Sequence, residues 1–382
     1  MFDQTPGADR SVENAPAVRA VEVIHSRAIE ARASDVHLEP AALGCRVRMR
    51  VDGLLRETHT LAPELYTPVV SRLKLLAGMD IADRRQPQDG RYGIARSGAE
   101  IDVRVSSMPT IAGEKLVLRL IDRSARAPRL DALGIGRGLC ERYRRLVQAP
   151  FGFIVITGPT GSGKTTTLYS SLAEIDLERR SVCSVEDPVE LRVEGISQVQ
   201  VNVRAGLTFP TVLRSFLRQD PNVLVIGEMR DAETATVAIS AALTGQLVLT
   251  TLHSTDAPRA IDRLVELGVA RHALAAALSA VVSQRLVRRL CPQCSRPQAG
   301  QRLAVGCAHC FMTGFTGRVG LFELLEVSDG IRDAIAGGAS SVAVATLAEG
   351  SGYEPLREDG RVKLASGETS AAELARVISW TR

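Results

Sequence analysis

FIVITGPTGSGKT, residues 153–165, joins a short apolar run to a glycine-rich loop. Phe153-Ile154-Val155-Ile156-Thr157 is rich in β-branched residues and reads as a buried strand. Gly158-Pro159-Thr160-Gly161-Ser162-Gly163-Lys164-Thr165 follows at once and fits G-x-x-x-x-G-K-[ST]. Lys164, Thr165 and Thr166 open a helical stretch that continues from Leu168 to Ile175. A strand before the loop and a helix after it are the context in which this spacing binds phosphate. The glycines turn backbone N–H groups inward, Lys164 brings a point charge to the β and γ phosphates, and the Thr165 hydroxyl ligates Mg²⁺.

Hydrolysis also needs a carboxylate that handles Mg²⁺ or water. Further apolar strands at 182–185, 223–226 and 247–250 alternate with helical segments, which predicts a largely parallel sheet covered on both faces. Ligands of such sheets bind beyond the carboxyl ends of the strands. Three candidates stand there: Glu186 after the first of these strands, Glu228 after the second, and His253 after the third. Glu228 is favoured as the catalytic carboxylate, but the sequence leaves open which of Glu186 and Glu228 is the base and which supports the metal.

Outward from this core, residues 11–122 read as a smaller amino-terminal α/β domain. Val18, Val21, Ile24, Ala28 and Ile29 recur at helical spacing, Cys45 to Val51 alternates as a half-buried strand, 63–79 reads as a helix, and 100–105 and 114–121 as strands. Residues 1–10 read as a loose tail. Arg84, Arg85 and Arg91 fall in a turn-rich segment with Pro87, Asp89 and Gly90, read as a solvated loop or as part of a subunit interface. Residues 123–129, polar and turn-rich, read as a linker. Residues 130–382 form the second domain, with a cysteine-bearing segment at 291–310 and a mainly helical part at 328–380.

Cys291-Pro-Gln-Cys294 and Cys307-Ala-His-Cys310 give C-x₂-C twice with twelve residues between. Two such knuckles close a tetrahedral Zn²⁺ site, and four thiolates with no open position make the metal structural. Disulfides or free thiols are the alternatives, and the expected compartment disfavours disulfides. Cys45, Cys140 and Cys183 are scattered and read as inert. Arg285, Arg288 and Arg289 follow the apolar stretch Leu274–Val282 and read as a solvated helix face rather than a partner-binding patch.

The net charge of +4, from 47 basic and 43 acidic residues, and an aromatic content of 4% argue against a nucleic-acid partner. No apolar run reaches the roughly 18–20 residues that span a bilayer, and residues 1–10 lack the apolar core of a secretory signal. A soluble, cytoplasmic protein is expected.

The chain resembles the secretion ATPases of type II secretion and type IV pilus assembly, from about Ala17 to its end. The segments that carry the resemblance are ASDVHLEP, MDIADRRQPQDGR, IDVRVSSMPTIAGEKLVLRLID, GPTGSGKTTTLY, SVEDPVE, GLTFPTVLRSFLRQDPNVLVIGEMRDAET, ALTGQLVLTTLHSTDA, SQRLVRRLC and TGFTGRVGLFELL. The resemblance implies a RecA-like motor domain, a hexameric ring, and ATP turnover coupled to pilus or pseudopilus assembly through inner-membrane platform proteins, type II secretion foremost. It implies that Gly158–Thr165 is the Walker A loop, that Glu186 belongs to an acidic box, Glu228 to Walker B and His253 to a His box, and that Arg104 and Arg119 reach the nucleotide from the amino-terminal domain. The tetracysteine segment is similar to that of assembly rather than retraction motors. Asn222 stands where the family usually has Asp, Gln246 where it usually has His, and Ser254-Thr255 where Thr-Asn is commoner. Longer members carry an extra amino-terminal domain, and this chain begins about where that domain would end. A pilus or DNA-uptake motor, a nucleotide-gated scaffold and a nucleic-acid translocase are the competing readings.

Overall fold

The computed structural model describes residues 16–96, 99–122, 127–298 and 300–378. The tail at 1–10 and residues 123–126 of the expected linker lie outside them. The chain divides into two compact units, Met1–Ala125 and Arg126–Arg382.

In the first unit, α1 (Pro16–Glu30) precedes strands β1 (Asp35–Ala41), β2 (Gly44–Val51) and β3 (Leu54–Leu61), then α2 (Pro63–Leu76), β4 (Gln88–Arg96), β5 (Ala99–Thr110) and β6 (Gly113–Asp122). The strands form an antiparallel sheet in the order β3-β2-β1-β6-β5-β4. Alternation along the strands gives it two unlike faces. Val36, Leu38, Val47, Met49, Val103, Val105, Leu116 and Leu118 share a core with Val21, Ile24 and Ala28 of α1 and Val69, Val70 and Leu73 of α2. The intervening residues put Asp35, Glu39, Arg48, Arg50, Arg104, Lys115 and Arg119 on the other face. Glu39 meets Arg48 at 2.7 Å and Lys115 at 2.9 Å. Burial works to raise its carboxyl, but these two cations outweigh burial and bring it down to about 2.

Arg91, expected in a turn-rich loop, lies within β4 and pairs with Arg104 of β5. The turn signals of this segment are overridden by packing. A Cβ at Gly90 would fall 2.2 Å from the Ala77 carbonyl oxygen, so glycine is what lets this edge strand approach the end of α2.

The second unit runs α3 (Arg137–Val147), β7 (Gly152–Thr157), α4 (Lys164–Leu172), β8 (Val182–Glu186), β9 (Ile196–Gln200), α5 (Phe209–Phe216), β10 (Val223–Ile226), α6 (Ala232–Leu243), β11 (Leu247–Leu252), α7 (Ala257–Glu266), α8 (Arg271–Ala277), β12 (Leu278–Leu290), β13 (Arg296–Gln298), β14 (Gln301–Leu303), β15 (Phe315–Glu326), and helices α9 (Asp329–Ala336), α10 (Ser341–Glu349), α11 (Leu356–Ala365) and α12 (Ala371–Val377). The main sheet has the order β15-β12-β7-β11-β10-β8-β9, parallel except for β15 at one edge. Every residue of β7, β8, β10 and β11 is buried, as expected of strands covered on both faces.

The helix face expected for Arg285, Arg288 and Arg289 is not formed. The apolar run that precedes them splits into the two-turn helix α8 and the long strand β12, because Ala280-Val281-Val282 pairs with β7 on one side and β15 on the other. All three arginines therefore lie on a strand. Arg288 is deeply placed against Glu373 and the ring of Phe315, not solvated.

Candidate functional site

The 158–163 loop begins where β7 ends. Gly158 and Gly163 have φ of 152° and 89°. A Cβ on Gly158 would lie 2.5 Å from the Gln284 carbonyl oxygen, and one on Gly163 would lie 2.7 Å from the Gln284 amide nitrogen. Only glycine fits between the loop and β12 at these positions. Lys164 opens α4 and is buried, whereas Thr165 and Thr166 beside it are exposed. The unpaired N–H groups of this helix start and its dipole favour an anion there.

Lys164 Nζ donates to the carbonyls of Gly158 at 2.9 Å and Pro159 at 3.1 Å, and to His253 Nδ1 at 3.3 Å. His253 Nε2 lies 2.9 Å from Glu228 Oε1. His253 thus stands between Lys164 and Glu228, with Nδ1 towards the ammonium and Nε2 towards the carboxylate. Glu228 Oε2 accepts from Arg230 at 2.7 Å. Burial, and next the charge of Arg285, lower the Lys164 ammonium, partly offset by Glu228. Burial would raise the Glu228 carboxyl, but Arg230, His253 and Lys164 together hold it below its ordinary value. Lys164, Glu228 and His253 come from the carboxyl ends of three adjacent parallel strands and converge on one place.

Glu186 has a different setting. It is 4% exposed, and its carboxylate accepts from Tyr169 of α4, from Ser184 at 2.7 Å and from Gln198 of β9 at 3.2 Å. Those three donors tie the loop helix to β8 and β9. The side chain of Glu228 is 22% exposed and faces the open end of the sheet.

Gln284 was not singled out by residue type. Its Oε1 accepts from Thr167 of α4 at 2.6 Å, and its backbone and amide wall the glycines. Its only signal in the sequence is its place in the SQRLVRRLC segment. Two departures from the family pattern fall away from the convergence. Asn222 Oδ1 accepts from the Ser181 amide at 2.8 Å, joining the starts of β10 and β8. Gln246 precedes β11 and accepts from Thr244 at 2.9 Å. His253 follows the same strand, so about 20 Å of β-structure separates the two side chains.

Arg104 and Arg119 lie in the first unit, directly opposite one another on β5 and β6. Arg119 donates to Asp35 at 3.0 Å, and Arg104 lies 4.0 Å from Asp102.

The four cysteines of the 291–310 segment come together. Their Sγ atoms all lie within 4.8 Å of one another, with Cys291–Cys307 at 3.9 Å, Cys294–Cys310 at 3.8 Å and Cys307–Cys310 at 3.7 Å. A tetrahedron of sulfurs about 2.3 Å from a central Zn²⁺ has edges of about 3.8 Å, so the spacing fits that ion without rearrangement. Backbone N–H groups of Gly306, Cys307 and Gly314 point at Cys294 or Cys310 sulfur at 3.1–3.3 Å, and such donors stabilise thiolates that hold a metal. His309 is not among the converging ligand atoms.

The chain matches the family model described as type II/IV secretion system protein over residues 10–376. Type II secretion system protein HxcR of Pseudomonas aeruginosa is 45% identical over 365 residues, 96% of this chain and 78% of that protein. Type II secretion system protein E of Klebsiella pneumoniae is 43% identical, over 96% of this chain and 77% of that protein. Type IV pilus assembly ATPase PilB of Thermus thermophilus is 42% identical over 96% of this chain but only 44% of that longer protein. Among solved structures, the Legionella pneumophila ATPase DotB aligns with a TM-score of 0.72 at 21% identity, covering 94% of this chain and 95% of that one, a likeness of fold.

Proposed function

The chain belongs to the type II/IV secretion system protein family, and from that premise we propose that it is the type II secretion motor and hydrolyses ATP at the Lys164–Glu228–His253 convergence. That it is a secretion or pilus-assembly ATPase follows from its relatives. The observation that carries the site assignment is the chain of contacts from Lys164 through His253 to Glu228 at the mouth of the phosphate loop.

Gly158 to Thr166 would cradle the phosphates, with the α4 N–H groups on the β-phosphate. The Lys164 ammonium would turn from the Gly158 and Pro159 carbonyls to the β and γ oxygens. Mg²⁺, held by the Thr165 hydroxyl, would neutralise charge on the same oxygens. Glu228 accepts the proton of a water whose oxygen attacks the γ-phosphorus as the bond to the ADP oxygen breaks. Its half-open setting lets water reach the carboxylate; Arg230, His253 and Lys164 lower the carboxyl, which keeps it ionised but makes it a weaker base until bound phosphate alters that balance. His253 holds Glu228 in register with the phosphate. Glu186, at 4% exposure closed off from solvent where Glu228 is half-open, fixes Tyr169 and Gln198 behind the loop and acts on geometry rather than on water. Arg104 and Arg119 supply positive charge to the transition state. The tetracysteine cluster is chemically suited to structural Zn²⁺.

We further place the motor at the inner membrane's cytoplasmic face, as a homohexamer bound to membrane platform proteins and not to nucleic acid. Among the described residues no helix is long and apolar enough to cross a membrane. A type IV pilus machine is the second reading, favoured by the PilB match at nearly equal identity.

The test separates binding from turnover. Lys164→Ala should lose both. Glu228→Gln should bind ATP normally and turn it over roughly a hundredfold or more slower, the range of a lost general base. Undiminished turnover in Glu228→Gln removes the carboxylate from the mechanism, and a variant that also fails to bind ATP removes the division of roles.

A further inference from the structure

The loop that carries His253 is gripped from two sides by two charged residues to which no catalytic or nucleotide-binding role was given. Arg285 of β12 and Glu323 of β15 lie on one face of the sheet, because Ser283 pairs with Glu323 and Arg285 with Leu321. Glu323 is 2% exposed, and its Oε1 accepts from the amide of Ala257 at 2.7 Å, the first residue of α7. Arg285 donates through Nη2 to the Thr255 carbonyl and through Nη1 to the Gln284 carbonyl at 3.0 Å. One carbonyl and one amide, two residues apart, are thus held by a guanidinium and a carboxylate from adjacent strands. Asp256 between them caps α7 through the Arg259 amide at 2.9 Å. His253 lies two residues before the gripped carbonyl.

From this geometry we infer that Arg285 and Glu323 form a clasp that positions His253 between Lys164 and Glu228. A buried carboxylate without a cation in direct contact is costly, and so is a half-buried guanidinium. Both are kept where an apolar pair would fill the same space, and each commits one hydrogen bond to the Thr255–Ala257 segment. The other oxygen of Glu323, Oε2, accepts from the Leu356 amide at 2.8 Å, the first residue of α11. The clasp therefore also ties the site to the carboxyl-terminal helices. These hydrogen bonds of both residues go to backbone groups of the loop, β12 and α11, so both are argued as positioning residues. Groups facing them include Asp256, Tyr353 and Lys164.

The inference rests on the reading that His253 holds Glu228 in register with the phosphate, and a double-mutant cycle separates the two. His253→Ala alone should cut kcat at least tenfold with little change in the KM for ATP; unchanged kcat overturns the His253 reading and with it the clasp. Arg285→Lys keeps the charge but loses the fork, and Glu323→Gln keeps the shape but offers one acceptor where two amides point. Each should cut kcat several-fold to tenfold in the parent protein. In the His253→Ala background each should add less than twofold, since the residue they position is gone. Losses that multiply fully in that background show that the pair acts through folding or another group, and overturn the clasp even if His253 is catalytic. Should one variant not fold, the other completes the cycle, because each tests the same loop.

Discussion

Arg288 and Glu373 sit where neither charge would be tolerated alone. Their side chains are 12% and 0% exposed. Arg288 reaches Glu373 at 2.7 Å, Arg376 reaches it at 2.6 Å, the Arg288 amide adds a third donor at 3.0 Å, and the guanidinium stacks on Phe315. Burial alone would raise the Glu373 carboxyl, but these donors pull it from 4.5 to about 2. A depressed native value means stability that is complete above the unfolded value and is lost as pH falls towards 2. At 1.36 kcal/mol per unit this amounts to about 3 kcal/mol at neutral pH, as an upper figure. Glu373→Gln should therefore be less stable than the parent at pH 7, with the gap closing as pH falls from about 4.5 towards 2, read from unfolding curves at both ends. Equal stability at pH 7 would show that the ion pair contributes nothing. At this scale the sequence was legible where placement follows from the strand order: Lys164, Glu228 and His253, each expected beyond a strand end, lie together there. Gln284, Arg285, Arg288 and Glu323 were not, because their roles come from pairing across long separations. Gln284 meets Thr167 from 117 residues away.

Among the elements, the 291–310 lobe has the least core of its own. Strands β13 and β14 are three residues each and largely exposed. Cys291 directly follows β12 and Cys310 shortly precedes β15, so a metal there would pin the ends of the two strands that carry Arg285, Arg288 and Glu323. Purified protein should contain about one Zn²⁺ per chain, the number one four-thiolate site holds. Replacing Cys291 and Cys294 by Ser should release it and lower the melting temperature by several degrees; freshly purified protein without zinc would rule the site out. The spacing of the cysteines made this lobe readable, as buried apolar runs made β7, β8, β10 and β11 readable. Strand β12 was hidden because its arginines mimic a helix face, and β4 because Pro87, Asp89 and Gly90 signal a turn. In both, sheet pairing overrides the local preference.

Across the whole molecule, the chemistry we propose draws on both units. The second holds the phosphate loop, Glu228 and His253; the first holds Arg104 and Arg119, paired on a sheet face rich in cations. A γ-phosphate held by Lys164 alone lacks the further positive charge that phosphoryl transfer draws on. We propose that this charge comes from Arg104 and Arg119 of the first unit, completed when chains assemble into a ring. Turnover per chain measured against protein concentration, with mass measured in parallel, tests this most directly. The account predicts that turnover rises steeply as hexamers form, and that Arg104→Ala and Arg119→Ala each cut turnover far more than ATP binding. A fully active monomer, independent of concentration and indifferent to both arginines, would contradict it.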